Sequence, residues 1–158
     1  MILNSGEYAM KIYNSAGKLI HDHQGELVCG DFQDLDLEGA DFSSTILEGA
    51  NFSGANLEGA CFENAELYWA LFFTANLIGA SFRSADLRGA DLKEAKLCNA
   101  DLSHADLGLS RVNGPTQLEG ADLTGAKIYE TKFIGATFDG DTVFPEGFDP
   151  IQCGMRQV

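Results

Sequence analysis

The sequence predicts an all-β chain wound into a four-sided parallel β-helix, a solenoid of about six coils closed at both ends. Three observations predict it. A large apolar residue recurs at every fifth position from Phe32 to Val112 and again from Leu118 to Val143. Two residues after that apolar centre stands a glycine in many repeats, among them Gly39, Gly49, Gly54, Gly59, Gly79, Gly89, Gly120, Gly125, Gly135 and Gly140. The centres themselves alternate, Phe32, Leu37, Phe42, Leu47, Phe52, Leu57, Phe62, Leu67, Phe72, Leu77, Phe82.

A period of five fits neither an α-helix, at 3.6, nor a strand, at 2. It fits a short extended segment followed by a corner. Within the extended part the centre and the residue two before it, most often Ala, point inward. The residues immediately before and after the centre point outward. Glycine at the corner supplies the positive φ that the third residue of a type II turn requires. The ten-residue alternation sets the number of sides. Twenty-residue coils stack Phe32, Phe52 and Phe72 in one column and Phe42, Phe62 and Phe82 in the opposite one. Fifteen-residue coils would put Phe on Leu. These six phenylalanines are the predicted structural core.

A stack of coils has two open ends, each with bare apolar surface and unpaired backbone. Residues 1–26 are expected to cap the first coil as a β-hairpin turning at Asn14–Gly17, with Met10, Ile12, Leu19 and Ile20 against it. Residues 27–144 form the β-helix, Leu27 being a degenerate first centre. Residues 145–158 are a capping tail, with Val143, Phe144, Phe148 and Ile151 over the last coil and Pro145 and Pro150 blocking further pairing. The phase slips by one residue at Asn113–Gln117. Asn-Gly-Pro is turn chemistry, so a bulge that leaves the stack intact is expected there.

Composition narrows the function classes. Over 158 residues the chain carries 24 Asp+Glu against 10 Lys+Arg, a formal net charge of -14. That excludes a generic nucleic-acid binder, which needs a basic surface to displace counterions. No apolar run approaches the roughly 18 to 20 residues of a membrane span. MILNSGEYAMK does not read as a secretory leader, so a reduced, cytoplasmic chain is expected. Cys29, Cys61, Cys98 and Cys153 show no metal-knuckle spacing. His21 and His23 share a strand face without a third ligand nearby and read as solvated strand histidines. No nucleophile–base constellation or phosphate loop is present. No catalytic residue, metal or cofactor is therefore expected, and the chain does not read as an enzyme.

The repeat resembles the pentapeptide-repeat family, whose consensus is A-[D/N]-L-x-x. The resemblance runs from Gly30 to about Phe144, and the tail FPEGFDP is similar to the ends of small bacterial, often cyanobacterial, members. It implies a right-handed quadrilateral β-helix. TILEG, AELYW, ALFFT and SRVNG are weak units. The resemblance also implies one sharp function. Members that protect or inhibit type II topoisomerases present an acidic rod similar to duplex DNA. From Leu19 to Phe82 this chain has eleven acids and no Lys or Arg, with Glu48, Glu58 and Glu66 as a candidate acidic face. Many of its acids, however, fill the Asp/Asn position before the centre, where they can bond nearby backbone. Neither a C-terminal dimerisation helix nor a long partner loop is evident.

The favoured expectation is a protein-binding or scaffold module. Its partner is an unidentified protein or a second copy, with no direct nucleic-acid or membrane contact. One cluster breaks the rule that outward positions are polar: Tyr68, Trp69, Leu71, Phe73 and Ile78. Aromatic groups of this kind anchor interfaces. The alternative is local: Trp69 lies over the corners Gly49 and Gly89, and Arg88 stacks on Tyr68.

Overall fold

The structure, a computed structural model, describes residues 9–14, 16–112 and 114–158, without the side chains of Ala9 and Met10. It is a parallel β-helix. Asp31 bridges Asn51, Asn51 bridges Leu71 and Leu71 bridges Asp91, all parallel. Stacked residues are thus 20 positions apart, as in the Asn76–Asn56 side-chain pair. Four five-residue units separate each residue from the one stacked on it. Each unit gives its neighbour a pair of ladder hydrogen bonds, as when Phe32 N–H donates to Asn51 O at 2.7 Å and Asn51 N–H to Gly30 O at 2.9 Å.

The consensus residues have visible causes. The centre's carbonyl accepts from the N–H three residues on, as from Ala55 to Phe52 at 3.0 Å, and closes a turn. The third turn residue has positive φ whether it is glycine or not: Gly49 at 66°, Asp34 at 57°, Asn64 at 57°, Trp69 at 57°. The Asp or Asn before the centre accepts from the N–H two residues on. Asp41 does so with Ser43 at 2.9 Å, Asn51 with Ser53 at 3.1 Å, Asp101 with Ser103 at 3.0 Å and Asp122 with Thr124 at 2.9 Å. Where Thr replaces Ala inside, its hydroxyl donates to a carbonyl, Thr116 to Leu87 at 2.9 Å and Thr131 to Leu102 at 2.7 Å. The hydroxyls of Thr116 and Thr131 are thereby satisfied, as burial demands.

The core is two aromatic columns flanked by leucine. Phe32–Phe52 and Phe52–Phe72 stack at 4.8 and 5.1 Å, and Phe42–Phe62 and Phe62–Phe82 at 5.1 and 4.9 Å. Across the interior the columns meet edge to face, Phe52 against Phe62 at 5.7 Å and 81°. Both arrangements suit the ring quadrupole.

At the first coil, β1 (Ala9–Tyr13) and β2 (Leu19–Gln24) form an antiparallel hairpin. It joins the coil through Asp41 N–H to Tyr13 O at 2.8 Å. Ile12 is buried in the core and Ile20 packs against it, whereas Leu19 is exposed. The Met10 contact lies outside the described side chains. The expectation of solvated histidines is corrected. His23 is buried and lies over Phe32, centroids 4.4 Å apart, with Nε2 3.2 Å from Glu26 O. The aromatic column ends on an imidazole, and its partner His21 meets Phe32 edge-on at 6.5 Å.

The other end departs further. Asp122 pairs with Val143, one residue beyond the regular offset. Asp139 takes up the extra residue by accepting from the N–H of Asp141 and Thr142 and the hydroxyl of Thr142. Val143 consequently faces out and Phe144 packs on the core in its place. Pairing also continues past both prolines. β3 (Thr137–Phe138) and β4 (Arg156–Gln157) run parallel, and Met155 is buried while Ile151 is exposed. Pro145 and Pro150 lie in the turns that lead to β4, where no ladder donor is needed.

The slip is larger than one residue. Asp91 bridges Gln117, an offset of 26, which Lys132 and Asp106 also show. The chain leaves the stack at Ser110 and re-enters at Thr116, and Ser110 pairs back on Gly114. Leu118, not Val112, stacks on Leu92; Val112 is 76% exposed. The stack itself continues. Buried Thr116 seals the departure: its hydroxyl accepts from Gly89 N–H at 3.0 Å and donates to Leu87 O.

Candidate partner-contact surface

The five outward side chains divide into two groups. Leu71 and Phe73 flank the buried centre Phe72 and are 41% and 42% exposed. In the coils below and above, Asn51 and Asp91 take the place of Leu71, and Ser53 and Lys93 that of Phe73. Two apolar side chains thus interrupt polar columns. Ile78, half-buried, lies beyond the next corner.

Tyr68 and Trp69 are half-buried and largely engaged by the chain itself. The corner column reads Cys29, Gly49, Trp69, Gly89, so each side chain has bare glycine above it. The indole fills the space over Gly89, where an added Cβ would come within 2.5 Å of Trp69 Cδ1. Its Nε1–H donates to Ser110 Oγ at 3.3 Å. The Arg88 guanidinium lies 4.6 Å from the Tyr68 centroid and holds Asp86 at 2.6 Å. The arginine stack is present and the indole covers Gly89, but Gly49 is covered by Cys29 and not by Trp69; of the five side chains, Leu71 and Phe73 are left as the free apolar pair.

Beside the covered pair opens a cleft of about 330 Å³ lined by Glu48, Tyr68, Trp69, Arg88, Ser110, Arg111 and Val112. Ser110, Arg111 and Val112 escaped the sequence reading because the five-residue rule put Val112 inside. The available signal was the residue at the Ala position: Thr116 keeps the spacing to Leu118, whereas Ser110 begins a unit that nothing continues.

The three acids of the candidate acidic face do not converge. Glu48 follows Leu47 and Glu66 precedes Leu67, on one run of stacked centres, and Leu47 N–H donates to Glu66 O. Glu58 follows Leu57, two units away, and accepts from Asn76 Nδ2. Beside Glu66 in the same column stand Asp86 and Asp106. Burial pushes the Asp86 carboxyl up, as do Asp106 and Glu66, against the hydrogen bonds that Arg88 donates. Elsewhere turn bonds lower the acids: the Ser43 donors act on Asp41 and the Thr124 donors on Asp122. Burial pushes the Cys61 and Cys98 thiols up, and the Cys98 Sγ donates to Asp122 at 3.1 Å, so both are protonated near neutral pH.

The pentapeptide-repeat family profile matches residues 31–72, 75–114 and 116–140, in eight copies. The chain belongs to the pentapeptide-repeat family. Its fold is the right-handed β-helix of these proteins. The family profile breaks where the excursion ends. Among solved structures, HetL of the cyanobacterium Nostoc, a pentapeptide-repeat protein involved in heterocyst differentiation regulation, is 33% identical at a TM-score of 0.60. That likeness covers 69% of this pentapeptide-repeat chain and 46% of HetL. Rfr23 of the cyanobacterium Cyanothece is 34% identical at a TM-score of 0.55, over 68% of this chain and 65% of its own. The chain therefore spans about half of the first and under two thirds of the second. QnrB1, a plasmid-mediated fluoroquinolone resistance protein, is 21% identical at a TM-score of 0.43, too distant to bear on role. No curated protein sequence matches the chain. Among the described residues no helix is long and apolar enough to cross a membrane.

Proposed function

We propose that this pentapeptide-repeat chain is a non-enzymatic, protein-binding rod of four-sided, quadrilateral cross-section. The 20-residue register and the like-on-like Phe columns support the four sides. The observation that carries the binding reading is the exposure of Leu71 and Phe73 at positions where neighbouring coils carry Asn, Ser, Asp and Lys. The repeat does not need them there. Exposed apolar pairs of this size, rimmed by polar residues, favour association. Tyr68 and Trp69 extend the surface as rigid, partly covered aromatics, with Ile78 at its margin. The reading favoured over a DNA-like rod is supported by the division of Glu58 from Glu48 and Glu66 and by the use of slot carboxylates in turns.

The test replaces Leu71 with Asn and Phe73 with Ser, residues that the stacked coil already uses. The double variant is expected to melt like the parent. It is also expected to lose the parent's association, measured by sedimentation for self-association and by calorimetry with any partner recovered on the parent. A parent that sediments as a monomer and retains no partner, or a variant that associates equally well, would refute the reading. Purified gyrase, inhibited by the parent and not by a variant lacking the charges of Glu48, Glu58 and Glu66, would establish the DNA-like rod instead.

A further inference from the structure

We infer that the cleft beside the excursion binds a protein segment carrying one apolar anchor flanked on one side by Lys or Arg. The inference rests on the protein-binding reading and specifies a second point of contact and its chemistry. The floor of the cleft is aromatic. Trp69 is held in place from below by its own corner and from above by Ser110, so it presents a fixed face. Tyr68 is fixed by the arginine stacked on it. Preformed aromatic surface loses little entropy when covered, which is why it suits an anchor. At about 330 Å³ the cleft is at the small end of binding pockets and matches one large side chain with its backbone.

Charge selects the flank. Glu48 lines the cleft, and Glu66 stands on the same run of centres. Neither has an ion-pair partner among the described residues, although Glu63, Asp86, Asp91, Asp101, Asp106 and Glu130 do. Arg88, the cation nearest the floor, is committed to Asp86 at 2.6 Å. Of these two carboxylates only Glu48 lines the cleft, and it does so beside a floor cation already neutralised by Asp86, on a chain of net charge -14. Arg111 also lines the cleft and repels a cation beside it, so the anchor is read with its basic flank toward Glu48 and away from Arg111.

Trp69 is the sole tryptophan, so its indole N–H resonance and its fluorescence report the cleft alone. The probes are acetyl-Leu-Arg-Lys-amide, acetyl-Leu-Glu-Glu-amide and acetyl-Ser-Arg-Lys-amide, titrated into the full chain at low salt. The first is expected to shift the Trp69 resonance saturably, and the other two at least tenfold less tightly. Glu48→Gln should weaken the first probe about three- to tenfold without changing the melting temperature, as for loss of one partly desolvated charge contact. Arg111→Ala should tighten it, because a charge that repels the probe is removed. Equal responses to all three probes, no saturable shift, or an E48Q variant that binds as the parent does would each overturn the inference. None of these outcomes touches the Leu71/Phe73 test. If that double variant loses association while the probes fail, only the cleft is refuted.

Discussion

The indole Nε1 of Trp69 donates a 3.3 Å hydrogen bond to the hydroxyl of Ser110, 41 residues further along the chain. A corner of the third coil is thereby tied to the base of the excursion two coils on. Gly89 makes the contact possible, because only a residue without Cβ leaves the indole its place.

Gly89→Ala is expected to break that arrangement. The residue has a φ of 76°, and its new Cβ would meet the indole at 2.5 Å. A left-handed alanine costs about 1–2 kcal/mol before the indole moves, and a domain of this size loses about 2–4 °C of Tm per kcal/mol. A melt lowered by several degrees, with Trp69 emission shifted to the red, is the expected result. An unchanged emission maximum would show that the indole does not depend on Gly89.

The alternation of the core can be tested at constant composition. Exchanging Phe52 for Leu and Leu57 for Phe leaves volume and hydrophobicity the same. It places a ring in a leucine column and a hole between Phe32 and Phe72. Underpacking and overpacking together are expected to cost about 2–4 kcal/mol. The double exchange should be less stable than Phe52→Leu alone. A double variant as stable as the parent would mean that the columns carry no packing information.

Removal of Ser110–Pro115 restores the regular offset, since Leu109 then becomes a corner and Thr116 keeps its inward place. With Leu109→Gly, which suits the left-handed corner, the shortened chain is expected to fold with an intact stack. Its far-ultraviolet circular dichroism should match the parent's and its melt should stay within a few degrees. Failure to fold would make the excursion a structural element and not an insertion.

The interior was legible in the sequence because the five-residue rule is enforced by burial: Phe32 to Leu107 are all fully enclosed at the expected spacing. What the rule could not show is where it stops. Val112 and Val143 satisfy the spacing but sit after turns that add residues, and a hydrophobic pattern carries no information about chain that has left the stack. The hairpin over the first coil was legible, but other parts of both ends were misread for a related reason. His23 caps Phe32 through a stacked ring, and Met155, just before β4, is buried beyond Pro150, and neither belongs to the repeat. At the surface, Tyr68, Trp69, Leu71 and Phe73 stood out as exceptions to a polar rule. The cleft did not, because three of its residues come from the excursion. Glu48, Glu58 and Glu66 looked alike in sequence and are parted by the register.

Acid stability follows from the turn carboxylates. The hydroxyl and N–H of Thr124 hold Asp122 below its usual value of 3.8, and Cys98 donates to it as well. Asp41 is lowered by Ser43 in the same way. Each group is more readily ionised in the folded chain than in the unfolded one. The stability that each contributes is therefore complete above about pH 4 and is lost as pH falls through the lower, folded value. Asp122→Asn keeps an acceptor for Thr124 N–H but does not titrate. It should melt slightly below the parent at pH 7 and lose less on acidification, so the two Tm curves converge as the pH falls below about 4. Asp41→Asn should behave alike, and the two effects should add, because the residues lie on different coils and share no partner. Parallel Tm curves across that range would show that the turn bonds do not favour the ionised carboxylate, and that the Asp/Asn position serves the repeat through geometry alone.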